Sequence, residues 1–176
     1  MSNTIWNLDP THSELTFKVK HLMISNVKGE FTKFNATIEG DTFENSKITA
    51  TVDAASVFTN NTDRDGHLKS ADFFEVETYP SLKFESTSIT KEDEGEYTLI
   101  GELTIKGTTK TVELDVEFGG YMKDPYGNQK AGFSIEGKIN RKDFGLNWNA
   151  ALETGGVLVS DDVKITAEVQ FAKTEA

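Results

Sequence analysis

The sequence predicts an all-β protein, an antiparallel barrel whose strands follow one another up and down around the ring. Polar and apolar residues alternate along most of the chain, short turn signals separate the alternating segments, and one segment lacks the alternation. The 176 residues suit a single domain, residues 1–176, with a core large enough to fold without disulfides or metals. Long strands with one apolar face must close or stack to protect their edges, so a sandwich is the alternative.

The first strands are predicted at Thr4–Leu8, Glu14–His21 and Lys28–Glu39. In "ELTFKVKH" every second residue belongs to one inward face, which consists of Leu15, Phe17, Val19 and His21. In the third of these strands the apolar parity shifts between Phe31 and Phe34, and this shift predicts a bulge that bends the strand.

The same alternation predicts the remaining strands, at Lys47–Asp53, Leu82–Ile89, Tyr97–Ile105, Val112–Phe118, Phe133–Ile139 and Val163–Phe171. Turn signals such as "EDEG", "KGTT" and "DPYGN" separate most of them. Roughly eight or nine strands follow one another in this way, and such a meander favours the barrel over the sandwich.

The stretch "NTDRDGHLKSADFF" lacks strand alternation and predicts a short helical insertion near residues 62–72. Thr62 followed by Asp65 resembles a capping arrangement, and acids in the first turn suit the positive end of a helix. We expect Leu68 to point inward and the following pair, Phe73 and Phe74, to anchor the segment on the barrel. Basic residues of the helix are then able to face the mouth of a cavity, namely Arg64, His67 and Lys69.

Small residues recur in the middle of the inward faces, at Ala36, Ala50, Ser86, Gly101, Gly137 and Ala167. The interior of an eight-stranded barrel is either filled by its own side chains or holds one slender ligand. Small central residues favour a cavity, but they also suit barrel taper or space filled by the 12 phenylalanines. The pattern alone is compatible with both outcomes.

The amino-acid composition limits the classes of partner that the protein is expected to bind. The 29 acidic residues outnumber the 18 lysines and arginines, and the net charge of −11 repels nucleic-acid phosphates and anionic lipid surfaces at long range, so no nucleic acid is expected. No segment approaches transmembrane length, and the start "MSNTIWNLDPTHS" lacks the features of a signal peptide. The expected location is cytoplasmic for the chain as given, and periplasmic or secreted if a leader was removed.

The sequence contains no convincing catalytic, metal or cofactor motif. Without cysteine there is neither a thiol nucleophile nor a Cys-ligated zinc site, and the three histidines lack the spacing of a zinc motif. Asp9, His12 and Ser13 are residue types used in nucleophilic catalysis, but adjacent residues on a strand project to opposite faces and do not align as base and nucleophile. Asp9 with Pro10 suits the start of a turn instead. In "RKDFG", Arg141 and Asp143 are expected to brace a strand end. We therefore predict a protein that is not an enzyme.

Several segments together resemble one family. "WNLDPTHSELTFKVKHL", "VKGEFTKFNATIEGD", "RDGHLKSADFFEVETYPSLKFES", "GELTIKGTTKTVELDV" and "NRKDFG" with "VSDDVKITAEVQ" are similar, in this order, to the YceI-like family of polyisoprenoid-binding, lipocalin-like proteins. The "RDGHL…DFF…YP" and "LTIKGTTK" segments are the most specific, because barrel patterning alone does not require them. The resemblance covers nearly the whole chain.

The resemblance implies an eight-stranded lipocalin-like barrel whose apolar channel binds, stores or transports one isoprenoid-like chain, such as a polyprenyl phosphate or an isoprenoid quinone. It implies no catalysis and no cofactor beyond the bound lipid. An enzyme or stress-response factor acting on such a chain or its head group is the alternative, and a packed barrel serving only as an interaction module is a third. An unpaired edge or the acidic exterior is compatible with a homodimer.

Strand parity and the family resemblance together predict the site residues. The candidate channel-lining residues are Phe17, Val19, Phe31, Phe84, Leu103, Ile105, Leu114, Phe133 and Ile135, with Gly101 and Gly137 supplying space. The candidates for the head-group end are His21, Arg64 and His67. An arginine suits a phosphate through its charged fork, and a histidine is able to donate a hydrogen bond to a quinone carbonyl.

Overall fold

The structure, a computed structural model, describes residues 4–22, 24–147 and 159–175. Its strands are β1 (Thr4–Leu8), β2 (Glu14–His21), β3 (Ser25–Phe31), β4 (Phe34–Glu39), β5 (Lys47–Asp53), β6 (Val57–Phe58), β7 (Ser81–Asp93), β8 (Glu96–Ile105), β9 (Thr108–Lys123), β10 (Gln129–Asn140) and β11 (Val159–Glu175). One α-helix, α1, spans Thr62–Lys69, and short 3₁₀ turns cover Pro10–His12, Phe43–Asn45, Ala54–Ser56 and Arg141–Phe144. None of the described helices is long and apolar enough to cross a bilayer.

The strands form a closed antiparallel ring in the order β1-β4-β5-β7-β8-β9-β10-β11, and β11 pairs back with β1. The strands β2, β3 and β6 extend this ring at one end, where β11 pairs with β2, β2 with β3, and β3 with β6. Strands that adjoin in the ring follow one another in the chain, except that β2 and β3 intervene between β1 and β4, that β6 intervenes between β5 and β7, and that β1 closes the ring against β11. This confirms the predicted eight-stranded up-and-down barrel.

Two breaks divide the N-terminal strands into collinear pairs. Asp9 caps the turn between β1 and β2, and Ser13 exchanges hydrogen bonds with the backbone of Gln170 on β11, at 3.0 Å from its N–H and 3.4 Å to its carbonyl. The second break, between β3 and β4, lies at the predicted parity shift between Phe31 and Phe34. The hydroxyl of Ser13 thus replaces a strand contact and lets β11 remain continuous.

Helix α1 begins at the predicted residue, but its cap differs from the prediction. Asn61, with extended backbone angles, accepts a hydrogen bond from the N–H of Arg64 at 3.0 Å, so Asn61 rather than Thr62 is the N-cap. Thr62 already belongs to the helix and cannot take that position. The carboxylate of Asp65 instead accepts hydrogen bonds from the N–H and hydroxyl of Thr59, at 2.8 and 2.5 Å.

The core divides into two clusters along the barrel axis. The closed half, at the end of the β9–β10 turn, contains Leu8, Ile38, Ile48, Leu99, Val116, Ala131, Phe133, Ala167, Val169 and Phe171. The open half, at the end of β2, β3, β6 and α1, contains Phe31, Ala54, Val57, Phe73, Leu82, Ile105, Ile139, Phe144 and Leu146. The two halves share the long strands but differ in what fills the space between them.

Candidate ligand-binding cavity

A cavity of about 490 Å³ lies in the open half, a size typical of small-molecule sites. Its apolar lining consists of Phe17, Val19, Val27, Phe31, Leu68, Phe73, Phe74, Leu82, Ile105, Ile139, Leu146, Val159, Val163 and Ile165. Its polar lining consists of Lys20, His21, Thr59, Asn61, Asp63, Arg64, His67 and Arg141. The mouth lies between the end of β2 and the start of α1, where exposed residues join the lining.

The apolar wall follows from strand parity. On β2 and β11, Phe17 lies opposite Ile165 and Val19 opposite Val163, so these pairs project to the same face of the sheet. The ring of Phe31 lies 5.6 Å from that of Phe17 and 5.7 Å, edge to face, from that of Phe74 in the segment after α1. Aromatic and branched side chains thus give the cavity an apolar surface with few polar groups.

Arg64 is held at the mouth by Thr59. Its Nε donates to the Thr59 hydroxyl at 2.9 Å and its Nη2 to the Thr59 carbonyl at 2.8 Å. The same hydroxyl donates to Asp65, so the arginine, threonine and aspartate form one network. The network fixes the guanidinium beside the cavity. Bonds to described residues use only part of its donors, so the remaining N–H groups face no other described partner and suit an acceptor at the mouth.

The two histidines of the lining differ in their polar contacts. Nε2 of His67 lies 2.9 Å from a carboxylate oxygen of Asp72, and its ring packs edge to face on Phe73, with 5.1 Å between the ring centres. His21 ends β2 opposite Val159, and no hydrogen bond or ion pair joins its side chain to another of the described residues. His21 is therefore better placed than His67 to meet a polar head group.

Arg141 lines the cavity although the sequence analysis did not include it in the site. Its side chain is only 3% exposed and donates to the carbonyls of Ser160 at 2.9 Å, Val159 at 3.3 Å and Leu146. Burial lowers the pKa of Arg141, and the nearby Asp161 carboxylate opposes this shift. The residue continues the inward parity of Ile139, and this parity is the sequence signal that points to its place in the lining.

The cavity includes about half of the predicted site residues. Those that line it are Phe17, Val19, His21, Phe31, Arg64, His67 and Ile105. Those outside its lining are Phe84, Gly101, Leu103, Leu114, Phe133, Ile135 and Gly137. Most of the second group packs around the closed-half core, and Leu103 packs against the open-half core.

The predicted space beside the glycines is filled, which corrects that expectation. The ring of Phe84 lies directly over Gly101, and the side chain of Leu114 lies directly over Gly137. A side chain at either glycine would collide with these neighbours. Each glycine therefore makes room for a large residue on the adjacent strand rather than for a ligand.

Aromatic rings fill the rest of the closed half. Phe43, from the 3₁₀ turn between β4 and β5, lies 4.8 Å from Tyr97 and 4.9 Å from Phe133 between ring centres. Phe133 also contacts Phe118 at 5.2 Å and Phe171 at 5.9 Å. These rings close this half of the barrel, so the cavity is confined to the open half.

Comparison with known proteins agrees with this architecture. The YceI-like domain model matches residues 6–171. A UPF0312 protein of Staphylococcus aureus strain N315 is 45% identical over 175 residues, covering 98% of this chain and 99% of the relative.

Solved structures show the same fold. The Campylobacter jejuni YceI protein, at 38% identity, superposes with a TM-score of 0.76 over 88% of this chain and 90% of its own. BcnA of Burkholderia cenocepacia does so at 24% identity, with a TM-score of 0.81 over 93% and 98%. A polyisoprenoid-binding domain from Saccharophagus degradans does so at 16% identity, with a TM-score of 0.67 over 96% and 98%. The extent of the family match and of the staphylococcal relative shows that this chain belongs to the YceI-like family.

Proposed function

We propose that the protein is a single-domain carrier or store for one isoprenoid-like lipid, which it holds in the open-half cavity without changing it chemically. The observation that carries this proposal is the apolar cavity with a largely cationic mouth. Membership of the YceI-like family supports it, as does the solved polyisoprenoid-binding domain with the same fold.

The cavity suits the tail of such a lipid. A methylene group takes up roughly the volume of a water molecule, about 30 Å³, so a cavity of about 490 Å³ encloses roughly sixteen chain carbons, or about three isoprene units. Burying these carbons against the phenylalanine wall provides the main driving force, at about 25 cal/mol per Å² of apolar surface. Longer tails must leave part of the chain outside or displace the closed-half packing.

The mouth suits a polar or anionic head group. The cavity lining contains Lys20, Arg64 and Arg141, together with two histidines, and Asp63 is the only acid among the described residues of that lining. This balance is opposite in sign to the net charge of −11. A prenyl phosphate gains charge-assisted hydrogen bonds there, which makes it the preferred ligand, whereas an isoprenoid quinone would accept a hydrogen bond through its carbonyl from a side chain such as His21.

Lipid extraction tests the proposal directly. Protein purified from its natural source is denatured in organic solvent, and the extract is analysed by lipid mass spectrometry. We expect a stoichiometric apolar chain from the wild type and much less from Val163→Trp, which places an indole inside the cavity. Thr166→Trp, three residues along on the same strand, changes a residue outside the cavity lining and is the matched control.

The outcome is decided by the difference between these proteins. Circular dichroism first establishes that both variants are folded. Equal lipid contents in the wild type and Val163→Trp, with Thr166→Trp also unchanged, would overturn the proposed site. Binding of farnesyl phosphate and of a short-chain quinone to the delipidated protein then separates the two head-group classes.

A further inference from the structure

The hairpin formed by β2 and β3 carries a charge opposite to that of the whole chain. Between Glu14 and Glu30 the sequence contains Lys18, Lys20 and Lys28 and no acidic residue, although the net charge of the protein is −11. We call residues 14–22 and 24–31 the basic hairpin. Its lysines therefore lie in a local positive field on an acidic protein.

Lysines line up across the outer surface of the sheet at this hairpin. Lys18 lies directly opposite Lys28 on β3 and Lys164 on β11, and Lys164 lies opposite Lys138 on β10. Like charges directly opposite each other destabilise a sheet, so this row carries an energetic cost. A costly arrangement on the surface favours a role outside the fold.

The two ends of the row are neutralised differently. Lys138 lies 3.4 Å from Asp162, and Lys164 lies 4.0 Å from Glu136. No ion pair within the described part of the chain involves Lys18 or Lys28, or Lys20 nearer the tip. Within this row, the two lysines without an ion pair to a described residue, Lys18 and Lys28, therefore both belong to the basic hairpin.

The tip of the basic hairpin exposes apolar side chains. Ile24 is 84% exposed and Leu22 is 38% exposed, and Leu22 has a left-handed backbone with φ of 55°. The carbonyl of His21 accepts hydrogen bonds from the N–H of Ile24 at 3.3 Å and the hydroxyl of Ser25 at 3.4 Å, which hold the turn. His21 and Lys20 also line the cavity, so this apolar tip lies at the mouth.

We propose that the basic hairpin docks the cavity mouth onto an anionic lipid bilayer. Leu22 and Ile24 enter the interface, while Lys20 and the pair Lys18 and Lys28 contact lipid phosphates. At about 3.3 Å per residue, Lys20 lies about 7 Å and Lys18 about 13 Å behind Leu22. Interfacial segments bury their apolar face by about 5–10 Å, so Lys20 lies at the depth of the lipid phosphates. Lys18 and Lys28 lie farther from the tip and reach the membrane surface with extended side chains.

The net charge opposes this contact only at a distance. At physiological salt the screening length is about 8 Å, so charges at the closed end have little effect on a surface that touches the tip. Nucleic acid would also attract the lysines, but it does not reward burial of an exposed isoleucine. An acidic protein would need an apolar pocket shaped for this tip, whereas the interface of a bilayer accepts apolar side chains without one. The apolar tip therefore favours a membrane. This proposal goes beyond the bound ligand, since docking does not require its identity.

A fluorophore at the tip tests the orientation. The chain has no cysteine, so Ile24→Cys provides a unique labelling site for an environment-sensitive dye. Tyr126→Cys is the matched control, because Tyr126 is 89% exposed and lies in the β9–β10 turn at the opposite end. We expect a blue shift of the tip dye with phosphatidylcholine vesicles that contain phosphatidylglycerol, and none at residue 126. A shift confined to residue 126, or none at either position, would overturn the proposal.

Vesicle sedimentation tests the lysines. In Lys18→Gln/Lys28→Gln we expect a loss of roughly 25-fold in partitioning, because each lysine near an anionic surface contributes about fivefold. Lys47→Gln/Lys91→Gln removes the same charge from closed-end lysines that are paired with Glu85 and Glu94, and it should bind almost as the wild type does. Equal losses in both pairs, or lysine-dependent binding to DNA or to a second copy without vesicle binding, would overturn the membrane assignment.

Discussion

The closed and open halves of the barrel are built from the same long strands with the same alternation, yet one is filled and the other holds a cavity. In the closed half, Phe43 enters from a turn between strands and packs on Phe133. In the open half, α1 and the residues after it cover the end of the barrel without filling it. The comparison indicates that a non-strand segment, rather than small residues on the strands, determines where this barrel is hollow.

The largest expected difference in unfolding free energy is between variants that remove one phenylalanine from each half. Phe133→Ala removes a ring that is packed among other rings in the closed half, and we expect it to cost about 3–5 kcal/mol of unfolding free energy. Phe74→Ala removes a ring that borders the cavity, so fewer contacts are lost and we expect less than about 2 kcal/mol. Urea unfolding of both variants, without ligand, measures the difference, and equal costs would contradict it.

A smaller effect is expected from filling the space at Gly101. Because Phe84 covers this glycine, Gly101→Leu should overpack the closed half and cost about 1–3 kcal/mol, while lipid content stays unchanged. The double variant Gly101→Leu/Phe84→Ala should recover part of the loss, since the leucine then occupies the vacated space. A double-mutant cycle from urea unfolding measures this coupling. Loss of lipid in a stable Gly101→Leu protein would mean that the ligand reaches the closed half.

The decrease in unfolding free energy at low pH should depend on Asp9, which lies at the break between β1 and β2. Lys130 at 2.7 Å, followed by Thr11 and His12, holds the pKa of Asp9 well below its usual range. A carboxylate with a lowered folded pKa contributes stability above its unfolded pKa of about 4, and that contribution disappears as pH falls towards the folded pKa.

We therefore expect Asp9→Asn to cost about 2 kcal/mol at neutral pH and to flatten the loss of stability below about pH 4. Urea unfolding at a series of pH values measures both effects. Asp162→Asn, which removes the partner of an exposed lysine, is the control and should change stability little. If the unfolding free energy of Asp9→Asn decreased below about pH 4 as much as that of the wild type, the proposed contribution of Asp9 would be contradicted.

The smallest effect concerns the head group in the open half. Arg64→Ala should weaken farnesyl phosphate by about tenfold and a quinone of equal tail length by much less, because only the phosphate loses a charge-assisted bond. Lys69→Ala, on the same helix but outside the cavity lining, is the matched control. Calorimetric titration of delipidated protein measures both ligands. Equal losses for both would show that Arg64 only braces Thr59.

Strand alternation was sufficient to predict the barrel, because it reports which side chains point inward. The predicted bounds of β1 and β2 agree with the structure. The irregularity predicted between Phe31 and Phe34 has the right place, but it separates two strands, β3 and β4, instead of bending one strand over Lys28–Glu39. Alternation does not report height along the barrel axis, so Phe84 and Gly101 looked equivalent to Phe17. The height of a side chain along the axis depends on the stagger of the strands. Which half of the barrel is filled also depends on Phe43, and its turn has no period-two pattern.

The site was predictable where local chemistry was distinctive and not elsewhere. The basic residues of α1 were recognised because the segment departs from strand alternation. Arg141 was assigned only to a strand end, because an arginine at an inward position is also a common brace. Its carbonyl partners come from β11 and from the segment after β10, and sequence spacing alone does not bring these together.

The pairing of β1 with β11 affects how the protein is made in the cell. Thr4 lies opposite Glu175, so β1, which pairs on its other side with β4, finds its second partner only after every other described strand has been synthesised. At about 5–20 residues per second, translation of this chain takes roughly 10–35 s, during which β1 and β2 lack their neighbour β11. Contacts of such high sequence separation also slow folding. The nascent chain therefore presents open strand edges, and chaperones that bind extended apolar segments have their main opportunity during this interval.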